Sequence, residues 1–303
     1  MAMFNKILRR LENPRMIFMD FLMFLAPCLD DKTFLKYRYR LAMGHKLDLE
    51  RPQTFNQKLQ WLKLYQRDNR LTALVDKYRC KFLVSDILGD SFIIPTLAQW
   101  ETPNDIDISS LPDKFVLKVN HDSGGVVICR DKESFDIQKA KQLLANSYNR
   151  NYYLAGREWP YKNVKKCIFA EELIEDTSGD LFDYKLFCFN GKVKFLKVDF
   201  DRQTDHHANY YSPEWELMPF GEADFPPKPH KIIEKPENLD DMVCAAEKLA
   251  NGVPFVRIDF YNVNHRVYFG EFTLFPASGF GKYTPVEYDQ IIGDYLTLPT
   301  KNE

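Results

Sequence analysis

Arg257, Asp259 and Glu271 lie in PFVRIDFYNVNHRVYFGEF, residues 254–272, among aromatic and aliphatic residues that read as a β-hairpin. Burying an unpaired charge is costly, so groups placed there either satisfy one another or are satisfied by something that arrives later. Asp259 and Glu271 are separated by two short strands' worth of chain, with NVNH as the turn. Both acids then fall near each other on one sheet face, and Thr273 follows on the same side. Two neighbouring carboxylates repel each other. A Mg²⁺ ion converts them into a hard oxygen site, commonly completed by phosphate oxygens. Arg257 would meet negative charge on a reacting group. An Arg257–Asp259 ion pair at a sheet surface accounts for the same residues without any ligand.

Other stretches have comparable potential. KFVLKVNHDSGGVVICR, residues 114–130, reads as strand, tight loop, strand, with Lys118 in an otherwise apolar strand. Its His121–Gly125 loop contains Ser123, Gly124 and Gly125. Glycines there let backbone N–H groups approach an anion, or simply make a hairpin turn. CIFAEELIED, residues 167–176, ends a strand with Glu171 and Glu172 on opposite faces. One of them can accept from an adenine amino group or a ribose hydroxyl, or both can be solvated. DYKLFCFNGKVKFLKVDFDR, residues 183–202, turns at Asn190-Gly191 and carries Lys185, Lys197 and Arg202. It also holds Asp199 and Asp201, a D-x-D of the kind that chelates metal and sugar diphosphate in many glycosyltransferases; DID at 105–107 matches the same pattern. NYYLAGREWPYK, residues 151–162, mixes aromatics with Arg157, Trp159 and Tyr161. Aromatic faces suit sugar rings and a guanidinium suits a uronic acid carboxylate, though an aromatic loop cluster has the same composition.

The elements that must position these residues follow from periodicity. Residues 1–90 read as mostly helical, with Thr54 and Gln57 spaced for a capping box and Gly89 as a stop signal. From about residue 92 the period becomes that of strands, interrupted by IQKAKQLLANSYNRNYY and ENLDDMVCAAEKLANG as helices, the second with Gly252 as its cap. This order gives an α+β fold. A helical N-terminal region (1–90) leads into a first subdomain with the phosphate loop (91–175) and a second with the carboxylates (176–303). FGEADFPPKPHKIIEKPENL reads as a Pro-rich surface loop without regular structure. The 303 residues are 45% hydrophobic and 28% charged, enough apolar material for a core, and the net charge of −2 gives no global basic field for nucleic acid. Six scattered cysteines, none in a C-x-x-C pair, suit a reducing cytoplasm. MIFMDFLMFLAPCL near the N-terminus is too short to span a bilayer and is broken by Asp20. It is expected to dock on the core, or to lie in the plane of a membrane's inner face beside Lys32, Lys36, Arg38 and Arg40.

In order and spacing, these stretches resemble the ATP-grasp superfamily. VDKYRCKFLVSDILGDSFIIP resembles its opening DK…G…P, and AEELI resembles its adenine hinge. DYKLFCFNG, KVDFDR, YYSPEW and GEFTLFPASGFGKYTP are similar to the TupA-like branch, which is associated with teichuronopeptide and surface-polysaccharide biosynthesis. The resemblance runs from about residue 35 to 295. It implies two sheets sandwiching ATP, with Lys77, Lys118 and the loop of Ser123, Gly124 and Gly125 on its phosphates. Glu171, Glu172 and Ile174 would line the nucleoside pocket, and Lys185 is a further nucleotide contact. Asp259, Glu271 and Thr273 would hold Mg²⁺, Thr273 standing where the superfamily commonly has Asn. Arg257 and Arg202 would serve the reacting groups, and Arg157, Trp159 and Tyr161 the acceptor. The activity implied is a carboxylate–amine ligase acting on a small-molecule or glycan carboxylate and an amine. A metal-dependent glycosyltransferase using Asp199 and Asp201, or a non-catalytic nucleotide-binding module, are the competing expectations.

Overall fold

The Thr54 side chain accepts from the Gln57 backbone N–H at 3.3 Å, and the Gln57 side chain accepts from the Thr54 N–H at 3.3 Å. This reciprocal cap satisfies two backbone donors at once and starts a helix where the sequence spacing predicts one. The structure, a computed structural model, describes residues 14–176, 182–201 and 205–301. Its N-terminal part is helical: α1 (Pro14–Leu25), α2 (Asp31–Met43), α3 (Phe55–Tyr65), α4 (Arg70–Val75) and α5 (Cys80–Leu88). Gly89 follows α5 with φ of 91°, a conformation that L side chains rarely adopt, so the stop signal has a steric cause.

Four strands then form an antiparallel sheet: β1 (Thr96–Trp100), β2 (Phe115–Val119), β3 (Val126–Cys129) and β4 (Ile168–Glu172), in the order β1-β4-β2-β3. Between β3 and β4 run α6 (Ile137–Tyr148) and α7 (Tyr152–Gly156). Leu144 of α6 packs with Phe115, Leu117 and Ala170 in a small core of its own.

The second sheet has the order β10-β9-β5-β6-β7, antiparallel throughout. Its strands are β5 (Asp183–Phe189), β6 (Lys192–Phe200), β7 (His207–Tyr211), β9 (Phe255–Val263) and β10 (Arg266–Thr273). Asn190 and Gly191, with φ of 48° and 81°, turn β5 into β6; Asn264 and His265, at 49° and 64°, turn β9 into β10. Two successive positive φ values match the twist of the flanking strands. The helix α8 (Leu239–Leu249) buries Leu239, Met242, Ala246 and Leu249 at helical spacing. Phe55 of α3 meets Phe189 and Phe255, ring centroids 5.6 and 4.8 Å apart, so the N-terminal helices share the core of the second sheet. The Pro-rich stretch is not wholly irregular: Gly221–Glu222 (β8) pairs with Tyr283–Thr284 (β11), ahead of a closing helix α9 (Tyr288–Asp294).

Candidate active site

A β-bulge sets the position of Glu271. From Arg266 to Phe269, β10 pairs regularly with β9; the register then shifts by one, leaving Gly270 as the extra residue. Without that shift Glu271 would face Ile258. With it, Glu271 stands opposite Asp259 and Thr273 opposite Arg257. Glycine suits the spot, because a Cβ at position 270 would lie 3.1 Å from the Asp259 carbonyl oxygen and 3.2 Å from the Tyr261 ring, and its neighbours would have to give by a few tenths of an ångström. Across the sheet the row continues from Asp259 to Lys185 on β5 and Lys197 on β6. A line of acids and lysines thus crosses four strands.

These charges neutralise one another. Arg257 grips Asp259 in a two-pronged contact, Nε and Nη2 each donating at 2.7 Å to a separate carboxylate oxygen, and its Nη2 reaches Glu271 at 3.5 Å. Lys185 Nζ contacts Asp183, Asp199 at 3.1 Å and Asp259 at 3.4 Å. Burial alone would lower the pKa of Arg257 and Lys185, but the surrounding carboxylates hold both above their usual values. Burial pushes Glu271 up, yet Lys77 and Arg257 pull it down to about 2.

Lys77 reaches this row from the helical side. The buried Asp76 carboxylate accepts from the backbone N–H groups of Tyr78 and Arg79 at 3.1 and 3.0 Å, and the Lys77 N–H donates to the Asn120 carbonyl at 2.9 Å. Asp76 therefore fixes the turn that aims Lys77 Nζ at Glu271, 2.8 Å away. One helical turn later Lys81 donates to Thr96 at 2.8 Å and to Glu171 at 3.1 Å. Lys118 of β2 contacts the other oxygen of Glu171. Burial raises Glu171, but Lys118 and Lys81 outweigh it and keep this carboxyl below its usual range.

The two sheets face each other across a cleft of about 380 Å³ lined by Lys77, Lys81, Lys118, Ser123, Glu171, Asp183, Lys185, Arg257, Asp259 and Glu271. The family profile of TupA-like ATPgrasp matches residues 57–297, a span containing every one of these residues. The chain belongs to the TupA-like ATP-grasp family. Among solved structures it is similar to an L-amino acid ligase from Bacillus licheniformis, at 15% identity and a TM-score of 0.47, over 82% of this chain and 56% of that one. It is also similar to the D-alanine–D-alanine ligase from Bacillus anthracis complexed with ATP, at 14% identity and a TM-score of 0.42, over 75% of this chain and 65% of that one. The corresponding ligase from Helicobacter pylori gives 16% and 0.42, over 81% and 69%. The chain thus spans less than two thirds of the two Bacillus ligases. Curated proteins give no match.

Within this ATP-grasp cleft the sequence-derived residues divide. Lys77, Lys118, Ser123, Glu171, Lys185, Arg257, Asp259 and Glu271 line one cavity. Glu172 is exposed, its N–H on the Pro95 carbonyl, and neither it nor Ile174, Gly124, Gly125 or Thr273 lines that cavity. The His121–Gly125 loop is anchored rather than wholly free. His121 and Asp122 are buried, and Gly125 is pressed so close to Val119 and Ser147 that a Cβ would stand 2.1 and 2.8 Å away. Ser123 and Gly124 are its exposed tip.

Arg157 does not face the cleft. It is buried, with φ of 56°, and its guanidinium donates to the carbonyls of Ala26 and Leu29, lies 4.4 Å from the Phe34 ring centroid and stands 3.6 Å from Asp31. Those contacts tie the α1–α2 corner to the body of the protein. Trp159 is buried beneath the Arg67 guanidinium. Tyr161, its ring tilted 52° to that of Tyr152 with centroids 4.5 Å apart, is nearer the site: burial raises its hydroxyl well above the ordinary value, and Glu158, Tyr152 and Glu271 add to the rise. The D-x-D acids are held separately, Asp199 by Lys185, Lys197 and His206, Asp201 by Lys231 at 3.3 Å. Arg202 lies outside the described residues. Sequence reasoning missed Lys81 and Asp183. Lys81 was findable, since four residues after Lys77 is the next turn of the same face.

Proposed function

We propose that this protein is an ATP-dependent carboxylate–amine ligase that joins an amine or amino acid to a sugar carboxylate in the biosynthesis of a bacterial surface polysaccharide. The observation that carries the proposal is the meeting of Lys77, Lys81, Lys118, Lys185 and Arg257 with Asp259 and Glu271 in one cleft between two sheets. Five cations beside four carboxylates, Glu171 and Asp183 being the other two, suit a nucleoside triphosphate with its metal, whose reaction needs positioning and charge neutralisation more than a nucleophilic side chain.

In the proposed reaction a carboxylate oxygen attacks the γ-phosphorus, the bond to ADP breaks, and an acyl phosphate results. The amine nitrogen then attacks the acyl carbon; phosphate leaves with the C–O electron pair, and the amine proton is lost to solvent. Lys77, Lys118 and Lys81 hold phosphate oxygens once nucleotide frees them from Glu271 and Glu171. Lys185 fixes Asp259 and balances the acidic row. Arg257 moves from its carboxylates onto the developing oxyanion, and Arg202 meets the phosphate or the substrate carboxylate. Glu171 and Ser123 contact the nucleotide, and Tyr161 borders the acceptor.

The donor set fits Mg²⁺. Asp259 and Glu271 are paired across β9 and β10, and their carboxylates, held here by Arg257 and Lys77, are the hard oxygen donors that Mg²⁺ takes, one or two at a time, together with substrate phosphates. Mg²⁺ would neutralise charge on the β- and γ-phosphates. The test is ADP release with paired uronic acids and amines, with mass spectrometry of the product. The proposal requires release to depend on both substrates and an amide mass to appear; turnover of a sugar nucleotide with glycosidic product would replace it.

A further inference from the structure

The helix α1 is apolar on two sides. Leu22 is buried, as is Ala26 just past the helix end, and Met19 and Met23 pack on the core. The outward side carries Ile17, Phe18, Phe21 and Phe24, which stay 45, 61, 59 and 79% exposed. Ile17, Phe21 and Phe24 recur at i, i+4 and i+7, so they form one stripe along the helix. A contiguous aromatic stripe of this kind is uncommon on a soluble surface and marks an interaction site.

The neighbouring helix supplies the second observation. Lys32, Lys36 and Arg40 are all exposed and recur every four residues along α2, with Tyr37 60% exposed beside them. The acids at the start of α2 are already engaged: Asp30 caps the helix through the Thr33 N–H, and Asp31 is held by Arg67 and Tyr153. Asp20 is the acid on α1 itself; exposed and four residues before Phe24, it brings one carboxylate to the same outward side. In a chain with a net charge of −2, this corner is locally basic.

We propose that α1 and α2 form a docking surface for an anionic lipid bilayer, with α1 lying in the plane of the interface. At 12 residues α1 is too short to cross a bilayer, and among the described residues no helix is long and apolar enough to do so. Phenylalanines beside a row of basic residues match the boundary between acyl chains and anionic headgroups. A second copy of the chain fits less well, because a symmetric contact through this corner would crowd two sets of Lys32, Lys36 and Arg40 together. The buried Arg157 contacts to Ala26 and Leu29 make the surface rigid with the body. This docking does not depend on the ligase chemistry.

The test is co-sedimentation of the full chain with vesicles of phosphatidylcholine alone or mixed equally with phosphatidylglycerol. Binding is expected to the mixed vesicles, weakened by salt. Phe21→Ser/Phe24→Ser should reduce it at least tenfold. Lys36→Glu/Arg40→Glu should also reduce it, by about fivefold or more per basic residue removed. All four side chains are exposed, so the melting curve of each variant should match that of the parent. Variants that bind like the parent would overturn the proposal. So would a parent that ignores both vesicles but sediments as a dimer that Phe21→Ser/Phe24→Ser splits, which would assign the surface to a second copy.

Discussion

Glu271 concentrates the chemistry of this cleft in one side chain, because Lys77, Arg257 and Asp259 all converge on it. Glu271→Gln keeps its shape but removes the charge that a divalent cation needs. ADP release should fall by more than about 100-fold, while the protein stays folded at a stability cost of about 1–3 kcal/mol, since Lys77 and Arg257 lose a charged partner. A folded variant with parental turnover would overturn the proposed metal-binding role of Glu271. The same residue gives the protein an acid-sensitive contribution. Its carboxyl is lowered from 4.5 to about 2 in the folded state, so the stability it supplies is fully present above pH 4.5 and is lost as pH falls toward 2. Thermal melts across that window should slope more gently for Glu271→Gln than for the parent; identical slopes would contradict the assignment. Arg157 is the opposite case. Arg157→Ala leaves the Ala26 and Leu29 carbonyls without their donor and should cost about 3 kcal/mol. The KM for ATP should not move, which denaturant melts and steady-state kinetics would check. Sequence alone could not separate these two residues. A charge among aromatics has the same pattern whether it faces a cleft or a remote backbone carbonyl, and the partners of Arg157 lie on a distant helix corner.

At the scale of elements, local signals were legible and register was not. The Thr54 cap, the Gly89 stop and the Asn190-Gly191 turn each involve residues within a few positions, so the sequence carries their whole cause. Counting alternation placed Asp259 and Glu271 on one face, but it contained no sign of the bulge that sets them opposite each other. Gly270 was an unremarked glycine until its neighbours across the strand were known. Gly270→Val should therefore lower ATP affinity at least tenfold by shifting Glu271 along β10, at a stability cost of about 1–3 kcal/mol. Calorimetric titration with MgATP measures the first and a melt the second. Unchanged affinity would show that the bulge is not what positions the acid. The loop after Lys118 shows the same limit: its glycines suggested an anion contact or a hairpin turn, whereas the structure buries His121, Asp122 and Gly125 and exposes only Ser123 and Gly124.

At the scale of the molecule, the cleft exists because two separately built sheets bring opposite walls together. The first contributes Lys118 and Glu171, the second Lys185, Arg257, Asp259 and Glu271, and Lys77 and Lys81 come from the helical segment joining the N-terminal helices to the first sheet. The α+β class and the ATP-grasp family were legible because motif order is preserved along most of the chain. The sharing of one core by the N-terminal helices and the second sheet was not, since that contact spans Phe55 to Phe255. The two walls hold mutually neutralised charge, so under the proposed function nucleotide should bind by displacing internal ion pairs. The most direct measurement is thermal unfolding with MgATP beside Mg²⁺ and UDP- or GDP-sugars. Binding to the native state stabilises it by mass action, so MgATP at about 100 times its Kd should raise the Tm by about 4 °C, with no shift from the sugar nucleotides. A clear rise with a sugar nucleotide and none with MgATP would contradict the account.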